Sequence, residues 1–261
     1  VLAGGTILSC FVERHWPKVY RVSVRLPDLP PALEGFTICQ LSDFHRGPLV
    51  TEEDLRRAAA LAMSLKAELI VLTGDYVSEW AGYAPSCAAA LVPLSAPYGV
   101  WGILGNHDYW TDSKAVARAI QGNGVRMLVN QSARLQVKGA AWWLCGVDDA
   151  WGGDASLDKT LADVPGRDFK IVLWHEPDFA GETAKHGISL QLSGHSHGGQ
   201  VTWPGGPPLI VPKYSHKYPR GLQRVEGSST LVYTNVGLGV TSIPVRLNVP
   251  PEVSLLTLRK G

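Results

Sequence analysis

Cysteine, methionine and charge are all scarce in this chain of 261 residues. Its four cysteines, Cys10, Cys39, Cys87 and Cys145, are widely spaced. They form neither a disulfide framework nor a Cys/His zinc pattern, and they leave the redox compartment open. With 24 Lys and Arg against 23 Asp and Glu, the net charge is +1. No field of one sign exists to gather a polyanion, so specific nucleic-acid binding is not expected. Long hydrophobic runs are also lacking. The apolar opening, residues 1–12, is too short to span a bilayer, lacks a basic leader and does not begin with Met. It reads as the remnant of a trimmed anchor or export signal, or as a first strand or helix. Within it Ile7-Leu8-Ser9-Cys10 faintly resembles a lipoprotein cleavage site. There is no internal repeat, no Walker A sequence and no complete Gly-x-Gly-x-x-Gly, which leaves nucleotide-cofactor binding little support.

What is present is a globular composition rich in loops, with 45% hydrophobic residues, 28 Gly and 18 Pro. Residues 1–34 read as a lead-in and residues 35–261 as a single catalytic domain. The apolar runs at 36–41, 69–72, 99–104, 169–173 and 188–192 are predicted as buried strands. Thr51 and Asp54 form a capping-box pattern opening a helix that runs to about residue 67. The strand–helix–strand succession implies parallel pairing. Runs at 125–129, 133–137, 141–145, 230–233 and 253–258 lack intervening helices and are predicted as antiparallel strands. The fold class is therefore α/β, with two packed mixed β-sheets flanked by helices.

Each of the five strands delivers metal-capable side chains just past its carboxyl end, where ligands gather in open α/β sheets. The blocks are Asp43-Phe44-His45, Gly74-Asp75, Gly105-Asn106-His107-Asp108, His175, and Gly194-His195-Ser196-His197. Imidazole, carboxylate and amide oxygen together suit Mn, Fe or Zn better than Cu(I) or a calcium cage. Arg46, beside His45, either reaches a phosphoryl oxygen with its planar fork or is a solvated loop arginine. Trp80, Trp110, Trp151 and Trp203 each lie near a motif. They either rim the cleft as an apolar wall or fill space under long loops.

These blocks, complete and in order, resemble the calcineurin-like metallophosphoesterase superfamily over about residues 36–258. Leu41-Ser42-Asp43, the continuation Gly198-Gly199-Gln200, and Pro244-Val245-Arg246 with Pro251-Glu252 look most like its bacterial YkuE/YaeI-type branch. The resemblance implies an α/β/β/α sandwich and two divalent metal ions. Asp43, His45 and His197 would hold one, Asn106, His175 and His195 the other, and Asp75 would bridge them. A shared anionic ligand offsets the repulsion of two cations about 3.5–4 Å apart, and a bridging hydroxide would attack phosphorus in line. His107 would protonate the leaving group or stabilise the transition state, oriented by Asp108. The position three residues after Asp75 is Ser78 and not Tyr, so a ferric-tyrosinate centre is not expected. Phosphodiester or pyrophosphate substrates are favoured over monoesters, either a small molecule or lipid-linked. Association with a membrane or cell wall, in a bacterial cell envelope, is what the branch suggests.

Two rivals come from other classes. Gly194-His195-Ser196-His197-Gly198 fits the Gly-x-Ser-x-Gly elbow of serine hydrolases. The required order of Ser, acid, His fails, because only His216 follows and no Asp or Glu precedes it after Ser196. The other rival is a catalytically inactive, metal-bearing protein that binds an envelope polymer; a complete ligand set with His107 retained argues against it.

Overall fold

The structure, a computed structural model, describes residues 13–261; the lipoprotein-like motif at residues 7–10 lies outside them. Two six-stranded sheets pack face to face. One runs β1 (Lys18–Leu26), β12 (Glu252–Lys260), β2 (Thr37–Leu41), β3 (Leu69–Thr73), β4 (Val100–Ile103) and β5 (Arg126–Met127). The other runs β10 (Gly221–Arg224), β11 (Leu231–Thr234), β9 (Leu190–Ser193), β8 (Lys170–Leu173), β7 (Ala140–Gly146) and β6 (Gln131–Val137). Strands β3, β4, β8, β9 and β11 are buried at every residue. Covered on both faces, β3 carries a continuous apolar run from Leu69 to Leu72, whereas β9 alternates Leu190 and Leu192 with buried Gln191 and Ser193.

Side-chain alternation divides the interior into layers. Ile38, Leu69, Val71 and Ile103 face Leu144, Ile171, Leu173 and Leu192 between the sheets. Their neighbours Cys39, Ile70 and Leu72 face outward onto α1 (Glu52–Ser64), α2 (Ala84–Leu91) and α4 (Ser113–Gln121). On the far side, Cys145 and Val172 pack with Leu157 of α5 (Leu157–Leu161), and Ala180 of α6 (Ala180–Lys185) packs with Val232. Helix α1 starts at the expected box: Thr51 Oγ1 accepts from Asp54 N at 3.1 Å, and the Asp54 carboxylate accepts from Thr51 N at 2.9 Å.

Two sequence expectations need correction. The lead-in enters the sheet: β1 pairs in parallel with β12 from Lys18 to Leu26, so the sheet begins well before residue 35. Its partner is the last strand, which no local pattern could reveal. The helix-less runs are also not purely antiparallel. Strands β7, β11 and β12 each pair antiparallel on one side and parallel on the other. Strand β5 pairs only in parallel, with β4, because α3 (Asn106–Thr111) and α4 form the crossover between them. A missing local helix constrains consecutive strands only; pairing with a strand distant in sequence follows a different route.

The parallel sets β2–β3–β4 and β8–β9 present their carboxyl ends at one edge of the sandwich. Buried Gln40 ties the two sheets there, its Nε2 donating to Thr73 Oγ1 at 3.0 Å and to Ser193 O at 2.8 Å.

Candidate metal centre

The five blocks meet at that edge. His45 Nε2 lies 3.0 Å from His197 Nε2 and 3.4 Å from Asp75 Oδ2. His197 Nε2 is 3.3 Å from Asp43 Oδ1, and His175 Nε2 is 3.2 Å from Asp75 Oδ2. Asp43, His45 and His197 form one group able to hold a cation, and Asp75, His175 and His195 a second; a further overlapping group is His45, Asp75 and His107. Asn106, the first residue of α3, is buried, and its Oδ1 has no hydrogen-bond partner among the described residues.

Backbone conformation aims these side chains. Asp43, His45, Asp75, His195 and His197 all sit at positive φ, at 51°, 45°, 57°, 70° and 50°. The left-handed region costs an L-residue about 1–2 kcal/mol, and such strain persists where the surroundings demand it. Gly74 and Gly105 allow the blocks to close up: a Cβ on Gly74 would lie 2.8 Å from both Gly105 N and His175 Nδ1.

Backbone carbonyls then set which imidazole nitrogen faces the centre. His175 Nδ1 donates to Thr73 O at 2.5 Å, leaving Nε2 without a hydrogen-bond partner. His195 Nε2 donates to Lys213 O at 2.7 Å, which frees Nδ1. His107 Nδ1 donates to Ser78 O at 2.9 Å, which frees Nε2. Such outer contacts orient metal ligands and fix their tautomers.

The donor set fits divalent cations. Burial, followed by the charge of nearby histidines, pushes His45 and His195 down to about 3, so both are neutral imidazoles with available lone pairs. Burial works against the charge on Asp75, but the His175 cation outweighs it and holds the carboxyl well below its usual range. Burial likewise opposes charge on His175, and Asp75 overcomes it, raising His175 well above its usual value. A bound cation would take over the charge balance that the Asp75–His175 pair provides here.

Other expected site residues fall elsewhere. Asp108 does not contact His107; its carboxylate accepts from Gly105 N, Asp75 N, Tyr76 N and Val77 N at 2.8–3.3 Å. It staples the β3 loop to α3, while Ser78 O orients His107. Arg46 turns away from the centre, donating to Gly47 O and Val50 O and stacking on Tyr83 at 4.9 Å. Trp110 and Trp151 do rim the cleft, with ring centroids 4.9 Å apart, and Trp110 lies 4.8 Å from His107. Trp203 and Trp80 do not line it, and Trp80 packs on Tyr83. Ser196 is fully buried, and its Oγ accepts from Gly198 N as a turn cap. No histidine bonds it among the described residues, so the serine-hydrolase alternative has no nucleophile.

Sequence reasoning missed the supports of the Trp151 loop. Glu176 Oε1 accepts from Ala150 N and Trp151 N, and Asp149 Oδ1 accepts from Trp151 N and Gly152 N. Both acids are fully buried, and burial together with the neighbouring acid pushes Glu176 well above its usual value. The position of Glu176, directly after His175, was the available signal. Gln200 was also missed as a clamp: its side chain bonds Thr241 N, Thr241 O and Ile243 O.

A site of this kind should stabilise the fold when loaded. Metal at 100 times its Kd contributes about 2.7 kcal/mol per site, and 1 kcal/mol shifts Tm by about 2–4 °C at this size. Chelation is expected to lower Tm by about 5–10 °C for each ion removed, measured by calorimetry. An unchanged Tm would mean that these residues hold no metal.

The geometry agrees with comparisons to known proteins. The profile of the calcineurin-like phosphoesterase family matches residues 36–199. The metallophosphoesterase YkuE of Bacillus subtilis (strain 168) is 34% identical over 260 residues, covering 98% of this chain and 90% of that protein. A transmembrane protein with metallophosphoesterase domain from Danio rerio is 29% identical over 258 residues, and the match spans 94% of this chain but 58% of that protein. The phosphodiesterase YaeI of Escherichia coli (strain K12) is 28% identical over 228 residues, 85% of this chain and 82% of that protein. Among the described residues no helix is long and apolar enough to cross a membrane. In fold, TT1561 of Thermus thermophilus aligns with a TM-score of 0.51 at 13% identity, over 78% of this chain and 90% of that one. With a family match over more than half its length and with YkuE similar nearly from end to end, the chain belongs to the calcineurin-like phosphoesterase family.

Proposed function

We propose that the chain is a dinuclear-metal phosphoester hydrolase, acting on phosphodiesters or pyrophosphates in preference to monoesters. The observation that carries this reading is that one carboxylate oxygen, Asp75 Oδ2, lies between the two groups, 3.2 Å from His175 Nε2 of its own group and 3.4 Å from His45 Nε2 of the other. Asp43, His45, His197 and Asp75 would hold one ion, and Asp75, Asn106, His175 and His195 the other; their O and N donors suit Mn, Fe or Zn. When bound, the ions supply Lewis acidity toward phosphoryl oxygens and acidify a water that serves as nucleophile.

The remaining work falls to the chain. His107 lines the cleft, its Nδ1 pinned on Ser78 O. Its free Nε2 is placed to give a proton to the departing oxygen or to bond a phosphoryl oxygen. Trp110 and Trp151 form one wall of a cavity of about 200 Å³ and shield the reacting group from water. Among the described residues lining that cavity there is no Lys or Arg. A monoester dianion would bring a second negative charge on the reacting phosphoryl group with no side-chain cation to meet it, whereas a diester, or the reacting phosphoryl of a disubstituted pyrophosphate, carries one charge and an ester arm for the apolar walls. The location that accords with this reading is a bacterial cell envelope and the substrate a lipid-linked phosphoester; the Danio rerio relative is named a transmembrane protein.

A panel of nitrophenyl monoester, diester and nucleotide pyrophosphate substrates tests the preference with manganese-loaded or zinc-loaded protein. The expected kcat/KM favours diester or pyrophosphate by about tenfold or more, equivalent to about 1.4 kcal/mol at the transition state. Monoester preference would overturn the substrate class, and no turnover of any ester would overturn the enzymatic reading.

A further inference from the structure

A second cavity, of about 280 Å³, adjoins the metal cleft and shares His197, Pro212, Thr241 and Ser242 with it. Beyond those residues its walls combine apolar Ile210, Val211 and Ile243 with Ser196, Gly199 and Gln200. Two loops build it. One is a hairpin in which Thr202 bridges Pro208, and the other is the 241–243 loop that Gln200 clamps from below.

These loops expose large apolar side chains instead of burying them. Ile210 is 81% exposed, Trp203 70%, Leu209 57% and Ile243 45%. A cluster of this kind beside an active-site mouth marks a contact surface. Its own residues are basic: residues 203–225 contain Lys213, Lys217, Arg220 and Arg224 and no Asp or Glu, and residues 241–250 contain no acid, while Asp178 accepts from the backbone of residues 216–218 and Glu13 from Asn248 N. Lys213 and Lys217 are exposed next to the apolar tips. In a chain with a net charge of only +1, that segregation singles out this edge. Exposed Trp, Leu and Ile flanked by exposed lysines are the chemistry of a surface that seats in an anionic lipid interface.

We infer that the loops at 202–213 and 241–243 dock onto an anionic lipid bilayer, and that the apolar cavity receives the hydrocarbon part of a phosphoester drawn from it. The substrate half of this inference rests on the phosphoesterase reading, whereas the docking half does not. Docking would point the open end of the cavity at the bilayer and let a headgroup phosphate reach the Asp75 centre while its chain stays in apolar surroundings.

The test is cosedimentation of the metal-loaded full chain with phosphatidylcholine vesicles, with and without phosphatidylglycerol. Binding is expected to be about tenfold tighter to the anionic vesicles and to fall in high salt, as juxtaposed charges are screened. Leu209→Asp and Trp203→Ser, both at exposed positions, are each expected to weaken anionic-vesicle binding about fivefold or more with circular dichroism unchanged. Wild-type protein left in the supernatant would overturn the inference. Salt-sensitive binding indifferent to both substitutions would also overturn it, because the surface would then be a plain polyanion site. Turnover of soluble diesters without vesicle binding would remove the docking surface and leave the hydrolase reading standing. Vesicle binding without any turnover would do the reverse.

Discussion

Asp75→Asn is expected to abolish turnover and bound metal together. Asp75 lies between the two ligand groups, with Oδ2 facing both His45 and His175 and Oδ1 accepting from His107 N at 2.9 Å. The amide nearly preserves shape and can keep the Oδ1 contact. It removes the negative charge that would offset two cations, and it replaces one ligand oxygen with a donor nitrogen. The expected loss in kcat/KM is at least about a thousandfold, or about 4 kcal/mol, with metal content falling in parallel by elemental analysis. A variant that keeps both metals and full turnover would contradict the bridging role.

His107→Ala is expected to separate what Asp75→Asn joins. General-acid assistance contributes about 10²–10⁴-fold, so turnover should drop by that factor while metal content stays at the wild-type value. The loss should be largest for poor leaving groups, alkyl esters above all, and smallest for nitrophenyl esters, whose departing oxygen needs no proton. A purely structural role would slow all esters equally. His107 also belongs to an overlapping donor group with His45 and Asp75. Loss of metal in this variant would therefore reassign His107 as a ligand and remove it from proton transfer.

The candidate ligands are legible in the sequence because coordination and acid–base chemistry restrict residue type. Only imidazole, carboxylate and amide oxygen would serve, and strand-end placement made their convergence readable before any coordinate. Their supports were not legible, because Thr73 O, Ser78 O and Lys213 O act through carbonyls that every residue possesses. Asp108 was misjudged because an acid beside a histidine suggests an ion pair. Here the turn of α3 brings four backbone N–H groups to the carboxylate instead. Arg46 lies next to a ligand in sequence, yet Tyr83 and two carbonyls of its own loop draw its guanidinium the other way. Of the tryptophans, Trp110 rides on α3 and Trp151 on a loop tied down by Asp149 and Glu176, so both reach the cleft. Trp203 stands on a hairpin that leads away from the cleft lining. Strand β1 went unread for a related reason: its partner comes from the opposite end of the chain.

The central claim is that Asp43, His45, Asp75, Asn106, His175, His195 and His197 cage two cations around one shared carboxylate. Anomalous diffraction at the manganese edge, from crystals of the full chain grown with manganese, measures this directly. The expected map holds two peaks per chain, both in contact with Asp75, one also touching Asp43, His45 and His197 and the other Asn106, His175 and His195. A single peak, or two peaks that do not share Asp75, would contradict the account.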